Sequence, residues 1–232
     1  MSDRDPKKIK DIFNKISYKY DLLNNLLSFG YHNFWKKKLI SLLNPKKGEI
    51  WADLCCGTGD LTLLISKKIY PDGSVTGIDN ANQILEIAKS KSQRINQNKI
   101  KWLKSDVLKI DETYKYDGVC MSYGLRNLES VEQGLRKVFF LLNDKGRAGF
   151  LDFNHSKEKS FAAIFQKLYL RLAVVPISSL FNLKEEYAYI EKSINDFPNG
   201  NKLILISKEI GFKKANYQTF FGGQMGILML EK

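Results

Sequence analysis

The chain has 232 residues, of which 44% are hydrophobic and 27% are charged, proportions that are usual for a globular protein. This length fits one α/β domain better than two independent domains. The three cysteines, which include the adjacent Cys55 and Cys56, cannot form a disulfide framework or a zinc-ligand pattern. The net charge of +12 indicates either attraction to a polyanion, such as nucleic acid or a membrane surface, or a general bias toward lysine.

Hydropathy and composition also limit where the protein can act. The first ten residues are charged and no apolar stretch follows them, so we expect no secretory signal. The apolar run Leu168–Leu183 is interrupted by Arg171 and Pro176, so we expect no membrane-spanning helix. The cysteine content favours a reducing compartment. We therefore expect a protein that is soluble or bound at a membrane surface.

In chain order, the sequence first predicts an N-terminal helical cap over residues 1–45. This cap includes a helix, Phe34–Leu43, that ends before Pro45. From residue 50 onward, short apolar runs alternate with helical periodicity, which is typical of a parallel sheet with right-handed crossovers. The predicted strands are Ile50–Leu54, Ser74–Ile78, Ile100–Lys104, Tyr116–Ser122 and Arg147–Phe153, and the predicted helices are Leu61–Ile69, Ala81–Lys91 and Val131–Leu142.

The last third of the chain departs from this alternation. Residues 154–198 are apolar and aromatic and predict a helical insertion, which serves either as core or as a lid with an apolar groove. A helix over Lys202–Ile210 is stopped by Gly211, and the strands Phe212–Thr219 and Gly226–Glu231 predict a closing antiparallel hairpin. The expected fold is α/β and Rossmann-like: one domain, residues 1–232, with a seven-stranded, mostly parallel sheet and one antiparallel strand.

A glycine-rich turn, Asp53–Asp60, lies where the first strand becomes the first helix. A dinucleotide fingerprint requires a third glycine where this chain has Thr62, and Asp60 at the helix start opposes a pyrophosphate but tolerates a cationic ligand. S-adenosylmethionine fits this preference, because it carries a sulfonium and an ammonium and no phosphate. The alternative is an ordinary glycine turn. The candidate cofactor-binding residues of the turn are Asp53, Gly57, Thr58 and Gly59.

Acids also follow the second and third strands. Asp79 is placed to accept the ribose hydroxyls, and Asp106 is placed to reach the adenine amino group. A single acid at a strand end is usually a helix cap or a turn former, but three strand ends with suitable groups in register rarely arise by chance. We therefore predict an S-adenosylmethionine-dependent methyltransferase without a metal. The remaining candidate cofactor-binding residues are Tyr20, Asn80, Val107 and Ser122.

Several further motifs carry a more specific resemblance. They are Tyr20–Ser28 with His32 and Trp35, the Cys-Cys-Gly-Thr-Gly-Asp turn, Tyr123–Asn127 and Ser193–Pro198. In these motifs the chain, from about Lys8 to Glu231, resembles the ubiquinone/menaquinone-biosynthesis C-methyltransferases. It is most similar to the cyanobacterial demethylphylloquinone (2-phytyl-1,4-naphthoquinone) branch. It departs from the family at Leu23, where many members have Met, and at Asp152-Phe153-Asn154, where many have Glu-x-Ser.

The resemblance implies a class I methyltransferase that methylates a ring carbon of a phytylated or prenylated naphthoquinol. The alternatives are demethylmenaquinol and a ubiquinone precursor as substrate. It also implies a lipophilic quinol partner, transient contact with a membrane surface, and a cytoplasmic or peripheral location at the inner or thylakoid membrane. A homodimer is left open.

The chemistry requires ionisation of a quinol hydroxyl, whose pKa is near ~10. Arg126 is the first candidate to stabilise the phenolate; the alternative is a structural ion pair. Asn127 is expected to orient a water or a quinol oxygen, or else to cap a helix. His32 is the alternative base, or a structural histidine, and Asp152 is expected to polarise a histidine or to cap its loop.

Other functions remain as alternatives. A nucleic-acid methyltransferase would use the basic charge, but no Pro-Pro-aromatic turn stands at Ser122-Tyr123-Gly124, and Cys120 has no preceding proline. We therefore expect no nucleic-acid partner. A non-enzymatic cofactor-binding scaffold would bind the donor without turnover. An NAD-dependent oxidoreductase is disfavoured by Thr62.

Overall fold

The computed structural model describes residues 7, 9–11, 30–94, 99–154, 189 and 192–232. Within these ranges the helices are α1 (Tyr31–Leu43), α2 (Asp60–Ile69), α3 (Asn82–Gln93), α4 (Val131–Leu141) and α5 (Gly200–Ile210). The strands are β1 (Ile50–Leu54), β2 (Ser74–Asp79), β3 (Ile100–Lys104), β4 (Tyr116–Ser122), β5 (Leu142–Phe153), β6 (Lys214–Phe220) and β7 (Met225–Glu231). Short 3₁₀ turns occupy Val107–Lys109, Leu125–Asn127 and Phe221–Gly223.

The seven strands form one sheet in the order β3-β2-β1-β4-β5-β7-β6. Strands β1 to β5 pair in parallel, whereas β7 is antiparallel to both β5 and β6. The predicted Rossmann-like sheet with one antiparallel strand is therefore confirmed. The strand order reverses between β1 and β4, and ligands of open α/β sheets bind at the carboxyl ends of the strands at such a point.

Local sequence explains why the helices begin and end where they do. The Ser130 hydroxyl accepts the Gln133 N–H at the start of α4, and the Asn199 side chain accepts the Lys202 N–H at the start of α5. Both are standard N-caps that satisfy amide groups with no partner inside the helix. Helix α5 ends at Gly211, whose φ of 117° lies in the left-handed region, as predicted.

Helix α1 packs on β5 and runs antiparallel to it. Near the start of β5, the Arg147 Nε donates to the Leu43 carbonyl at 2.6 Å, and a Cβ built on Gly149 would lie 2.8 Å from Leu39. Nearer the other end of α1, Trp35 belongs to the same apolar cluster as Leu151. The amino end of α1 therefore lies at the carboxyl edge of the sheet.

Most predicted boundaries are confirmed, and three are corrected. Helix α1 begins at Tyr31 and not at Phe34. Strand β5 begins at Leu142 and not at Arg147, because the chain passes from α4 directly into a strand whose first part pairs irregularly with β4. Strand β6 begins at Lys214 and not at Phe212. Phe212 belongs to the end of α5, since its N–H donates to the Ser207 carbonyl and its side chain is buried.

Some predictions fall outside the described residues. They concern Tyr20, most of the helical cap (1–45) and most of the helical insertion (154–198). Among the helices that the structure does describe, none has the length and hydropathy needed to cross a membrane.

Candidate active site

The predicted glycine turn joins β1 to α2 through a run of left-handed backbone. Cys55, Gly57 and Gly59 have φ values of 52°, 55° and 84°. The Gly59 N–H donates to the Cys56 carbonyl, and the Cys56 N–H donates to the Ile78 carbonyl of β2. The turn is thus fixed both to itself and to the neighbouring strand, which supports the interpretation of a preformed ligand-binding loop.

Trp102, on β3, explains why this turn requires glycine. A Cβ built on Gly59 would lie 2.6 Å from the Trp102 ring, and one built on Gly77 would lie 2.4 Å from it. The indole N–H donates to the Ser92 hydroxyl at 3.2 Å, which fixes the ring. The sequence analysis did not identify Trp102. The register of the sheet, which places Gly77 directly beside Trp102, is the signal that reveals it.

Substitution of Gly59 by alanine is expected to destabilise the fold by about 2–5 kcal/mol. The left-handed backbone costs about 1–2 kcal/mol for a residue with a Cβ, and overpacking against Trp102 costs about 1–3 kcal/mol. Gly48→Ala is the matched control: Gly48 has a φ of 83°, but nothing lies within 4 Å of the added Cβ. Urea unfolding of both variants measures the difference. Equal losses would show that Trp102 does not restrict position 59.

Asp53 is the penultimate residue of β1, and its side chain is buried below the turn, with 1% exposed. Its carboxylate accepts a hydrogen bond from the Thr62 hydroxyl at 2.6 Å and one from the Cys120 thiol at 3.4 Å. Burial raises the pKa of Asp53 to about 6, although these hydrogen bonds act to lower it. Asp53 and Thr62 therefore brace the turn from below. Direct contact between Asp53 and the cofactor stays a prediction.

Because the pKa of Asp53 rises from 3.8 to about 6 on folding, the ionised carboxylate is unfavourable in the folded state at neutral pH. The stabilisation from this group is present below pH 3.8 and is lost as the pH rises through about 6. Asp53→Asn is neutral at every pH. Its free energy of unfolding at pH 7 is expected to exceed that of the wild type by about 1–2 kcal/mol. Urea unfolding at about pH 4 and at pH 7 checks this. A gain of the same size at both values would contradict the assignment.

Asp79 lies at the end of β2 and faces the turn. One carboxylate oxygen accepts the Gly57 N–H at 2.9 Å and the other accepts the Ala81 N–H at 2.9 Å. Burial raises the pKa of this carboxyl, although the backbone hydrogen bonds oppose the rise. Each carboxylate oxygen keeps further acceptor capacity, so Asp79 can bind hydroxyl groups while it holds the turn.

Asp106 follows β3 and accepts the Leu108 N–H at 2.9 Å, so it caps the short 3₁₀ turn at Val107–Lys109. The sequence analysis offered capping and adenine recognition as alternatives for this residue. The structure shows the cap, and Asp106 also faces the cleft described next. Adenine recognition stays a prediction.

A cleft opens at the carboxyl edge of the sheet, where β1, β2, β3 and β4 end. Its described lining residues are Ile9, Lys10, Cys55, Gly57, Asp79, Asn80, Ala81, Ile84, Ser105, Asp106, Val107, Leu108, Ser122, Tyr123, Gly124, Asn127, Leu128 and Glu129. The fold thus brings together seven predicted site residues, namely Gly57, Asp79, Asn80, Asp106, Val107, Ser122 and Asn127. Ala81, Ile84 and Leu128 form an apolar wall of the cleft that is not predicted from sequence, because their apolar periodicity on or beside helices is the same as that of core residues.

Other predicted residues support the cleft without being among its described lining. Thr58 and Gly59 are buried in the turn. His32 is 5% exposed on the inner face of α1. Asp60 faces lysines: Lys36 donates to it at 2.7 Å and Lys91 at 3.2 Å. Burial acts to raise the pKa of Asp60, but these cations outweigh it and lower the pKa to about 2.

The turn after β4 is organised around the carbonyl of Tyr123, a residue with a φ of 60°. This oxygen accepts the Arg126 Nη1–H at 2.8 Å and the Asn127 side-chain amide at 3.0 Å. The Tyr189 hydroxyl donates to the Asn127 Oδ1 at 3.1 Å. Asn127 is therefore held at both ends of its amide, and Tyr189, a described residue of the insertion, contacts this cleft residue.

Arg126 and Asp152 form a buried ion pair. The Nη1 of Arg126 lies 2.6 Å from the Asp152 Oδ1, and the two side chains are 6% and 4% exposed. The Arg126 N–H also donates to Asp152, and the guanidinium lies over the Phe153 ring. Asp152 thus pairs with Arg126. That it also polarises a histidine stays a prediction. Within the described part of the chain, the buried Arg126 Nε has no hydrogen-bond acceptor.

Comparison with known proteins identifies the chain. The model of the "ubiE/COQ5 methyltransferase family" matches residues 1–231. The chain belongs to this family. The 2-phytyl-1,4-naphtoquinone methyltransferase of Nostoc punctiforme is 37% identical over 226 residues, which cover 97% of this chain and 98% of the relative. The chloroplastic 2-phytyl-1,4-beta-naphthoquinone methyltransferase of Arabidopsis thaliana is 35% identical over 222 residues, covering 94% and 85%.

Solved structures confirm the fold of this ubiE/COQ5 family member. Magnesium protoporphyrin IX methyltransferase from Synechocystis with bound S-adenosylmethionine aligns with a TM-score of 0.65 at 14% identity, covering 100% of this chain and 98% of that one. A methyltransferase from Aquifex aeolicus aligns with a TM-score of 0.60 at 16% identity, covering 84% and 88%. Its membership of the methyltransferase family makes the chain an S-adenosylmethionine-dependent methyltransferase.

The cleft residues fit this cofactor. Asp79 offers carboxylate oxygens for hydroxyl groups, and the apolar Ile84 and Val107 offer surfaces for a flat base. The bend at Gly57 allows close approach of the backbone. This family member would hold the ribose of the cofactor at Asp79 and its adenine near Asp106 and Val107.

Proposed function

We propose that the enzyme methylates a ring carbon of a phytylated naphthoquinol, converting a demethylphylloquinol to a phylloquinol in quinone biosynthesis. Family membership and the names of the relatives support this substrate class. The observation that carries the proposal is at the end of β4, where the buried Nε–H of Arg126 has no acceptor among the described residues. A buried donor without a partner is costly, and a phenolate oxygen would supply the acceptor.

We assign three side chains to the reaction. When bound, S-adenosylmethionine would supply the methyl group, whose bond to the sulfonium breaks as its bond to the ring carbon forms, so that S-adenosylhomocysteine leaves. The ring carbon then loses its proton and the quinol oxygen regains one. Arg126, which directly precedes the cleft residue Asn127, stabilises through its positive charge the phenolate that makes the adjacent ring carbon nucleophilic. Asn127 faces the cleft and orients the quinol oxygen or a water that takes the proton. Asp152 positions Arg126 through the ion pair.

A base is still required, because the Arg126 guanidinium stays protonated. A water held by Asn127 is the acceptor that we favour. His32 is the alternative base. We favour it less, because it is buried on α1 and is not among the described residues that line the cleft. A rate that falls more than tenfold in His32→Gln, with normal cofactor affinity, would reverse this preference.

The enzyme also makes transient contact with a membrane surface in this proposal, because a phytylated quinol resides in a bilayer. Prenylated demethylmenaquinol and ubiquinone precursors differ from the proposed substrate in tail or ring, and a homodimer is compatible with it. We expect no nucleic-acid substrate.

Incubation with labelled S-adenosylmethionine and reduced acceptors tests the substrate. The acceptors are 2-phytyl-1,4-naphthoquinol, a demethylmenaquinol, a demethylated benzoquinol and RNA, each followed by mass analysis of the product. We expect methylation of the phytylated naphthoquinol at the highest kcat/KM. Preferential methylation of a benzoquinol or of RNA would overturn the proposal. Arg126→Lys serves as the variant that keeps the charge but changes the donor geometry.

A further inference from the structure

The outer face of α1 carries exposed aromatic rings beside lysines. Phe34 is 63% exposed and Tyr31 is 49% exposed, whereas large apolar side chains of this helix such as Leu39 and Leu43 are fully buried. Lys37 and Lys38 are exposed on the same side of the helix, since positions 31, 34, 37 and 38 fall on one face at helical spacing. We refer to Tyr31, Phe34, Lys37 and Lys38 as the α1 face.

The α1 face lies at the edge of the sheet where the cleft opens. Helix α1 runs antiparallel to β5, so Tyr31 and Phe34 lie at the carboxyl edge of the sheet. The ion pair of Lys36 with Asp60, the first residue after the glycine turn, places the first half of α1 at that same edge. The cleft that contains Asp79 opens there. The α1 face and the cleft thus share one edge of the molecule.

The positive charge on α1 indicates that this face fits an anionic surface. The helix carries three lysines and no acidic residue. Lys36 is buried in its ion pair with Asp60, so Lys37 and Lys38 supply the exposed positive charge. Lys10, which lines the cleft, adds a cation at the same edge, although the exposed Glu129 also lines the cleft. Aromatic rings prefer the interface between headgroups and acyl chains, and lysines beside them attract anionic headgroups.

We propose that the α1 face docks the enzyme on an anionic lipid bilayer with its cleft directed toward the membrane. This inference rests on the proposed function, because a bilayer holds the phytylated quinol. Phe34 and Tyr31 enter the interfacial region, and Lys37 and Lys38 contact the headgroups. Docking shortens the path of the quinol ring to Asn127 without requiring the tail to leave the lipid.

Vesicle co-sedimentation of the full chain tests docking without any quinol. The vesicles contain phosphatidylcholine either alone or with phosphatidylglycerol. We expect binding to the anionic vesicles, lowered at least about tenfold by Phe34→Ser and by the pair Lys37→Glu and Lys38→Glu. The matched controls lie at the opposite edge of the sheet: Tyr114→Ser, at a residue 55% exposed just before β4, and the pair Lys67→Glu and Lys68→Glu at the end of α2.

The outcomes separate docking from the proposed substrate. Affinity for S-adenosylhomocysteine should be unchanged in all four variants, which also shows that they fold. Turnover of a detergent-dispersed quinol should stay at the wild-type level in Phe34→Ser while turnover of the vesicle-embedded quinol falls.

Equal loss of vesicle binding in the α1-face and control variants would overturn docking at α1. A dimer that Phe34→Ser dissociates, without vesicle binding, would assign the face to a second copy and also overturn the proposal. If docking is retained but no quinol is methylated, the proposed substrate fails and docking stands.

Discussion

Asp79→Ala is expected to lower the affinity for S-adenosylmethionine and S-adenosylhomocysteine at least about a hundredfold. Hydrogen bonds to a charged group contribute about 1.5–3 kcal/mol each, and about 1.4 kcal/mol corresponds to a tenfold change in affinity. The substitution removes the carboxylate predicted to hold the ribose. It also leaves the Gly57 and Ala81 N–H groups without their acceptor, so the turn itself loosens.

Isothermal titration with S-adenosylhomocysteine measures this loss. Asp72→Ala is the matched control, because Asp72 is an exposed acid in the turn between α2 and β2 and its removal changes the net charge equally. A folded Asp79→Ala protein with wild-type affinity would refute the ribose assignment. In the wild type, the affinity for S-adenosylhomocysteine should begin to fall on acidification at a pH above 3.8. Burial raises the pKa of Asp79, and the protonated acid is a poorer hydrogen-bond acceptor.

Arg126→Ala is expected to destabilise the fold by roughly 3–5 kcal/mol, because it leaves the Asp152 carboxylate buried without its cation. A chain of this size loses about 2–4 °C in Tm for each kcal/mol, so the melting temperature should drop by about 6–20 °C. This loss alone would lower activity in a routine assay. The single variant therefore cannot separate the structural ion pair from a catalytic role.

The double substitution Arg126→Met with Asp152→Asn separates the two roles. It removes both charges, so most of the lost stability should return. We expect this protein to bind S-adenosylhomocysteine with near wild-type affinity and to turn over the quinol at least about a hundredfold more slowly, as when an oxyanion donor is removed. Denaturant unfolding, calorimetry and turnover are measured on the same preparation. Turnover near the wild-type level would leave Arg126 with a structural role alone.

Much of the sheet followed from sequence because its signals are local. The runs Ile50–Leu54 and Tyr116–Ser122 are apolar and bounded by turn residues, and the structure gives the same limits for β1 and β4. Parallel strands buried on both faces read as continuous apolar runs. The strand-end position of Asp79 followed in the same way, since the acid directly closes such a run.

The partners of the site residues did not follow, because they lie far apart in the chain. Arg126 pairs with Asp152, and Asp60 pairs with Lys36 and Lys91. Asp60 was interpreted as an acid available to a cationic ligand, but three helices meet at its carboxylate instead. Such contacts depend on the register of neighbouring elements, which a local pattern does not contain.

The indole of Trp102 occupies the space that Gly59 and Gly77 leave open. These three positions therefore form one steric unit that spans two strands and a turn. Substitution at one position is tolerated when another compensates, so a family member with alanine at position 59 or 77 should carry a smaller side chain at position 102. We therefore expect residue sizes at these three sites to covary among homologues, and independent variation would show that the packing does not couple them.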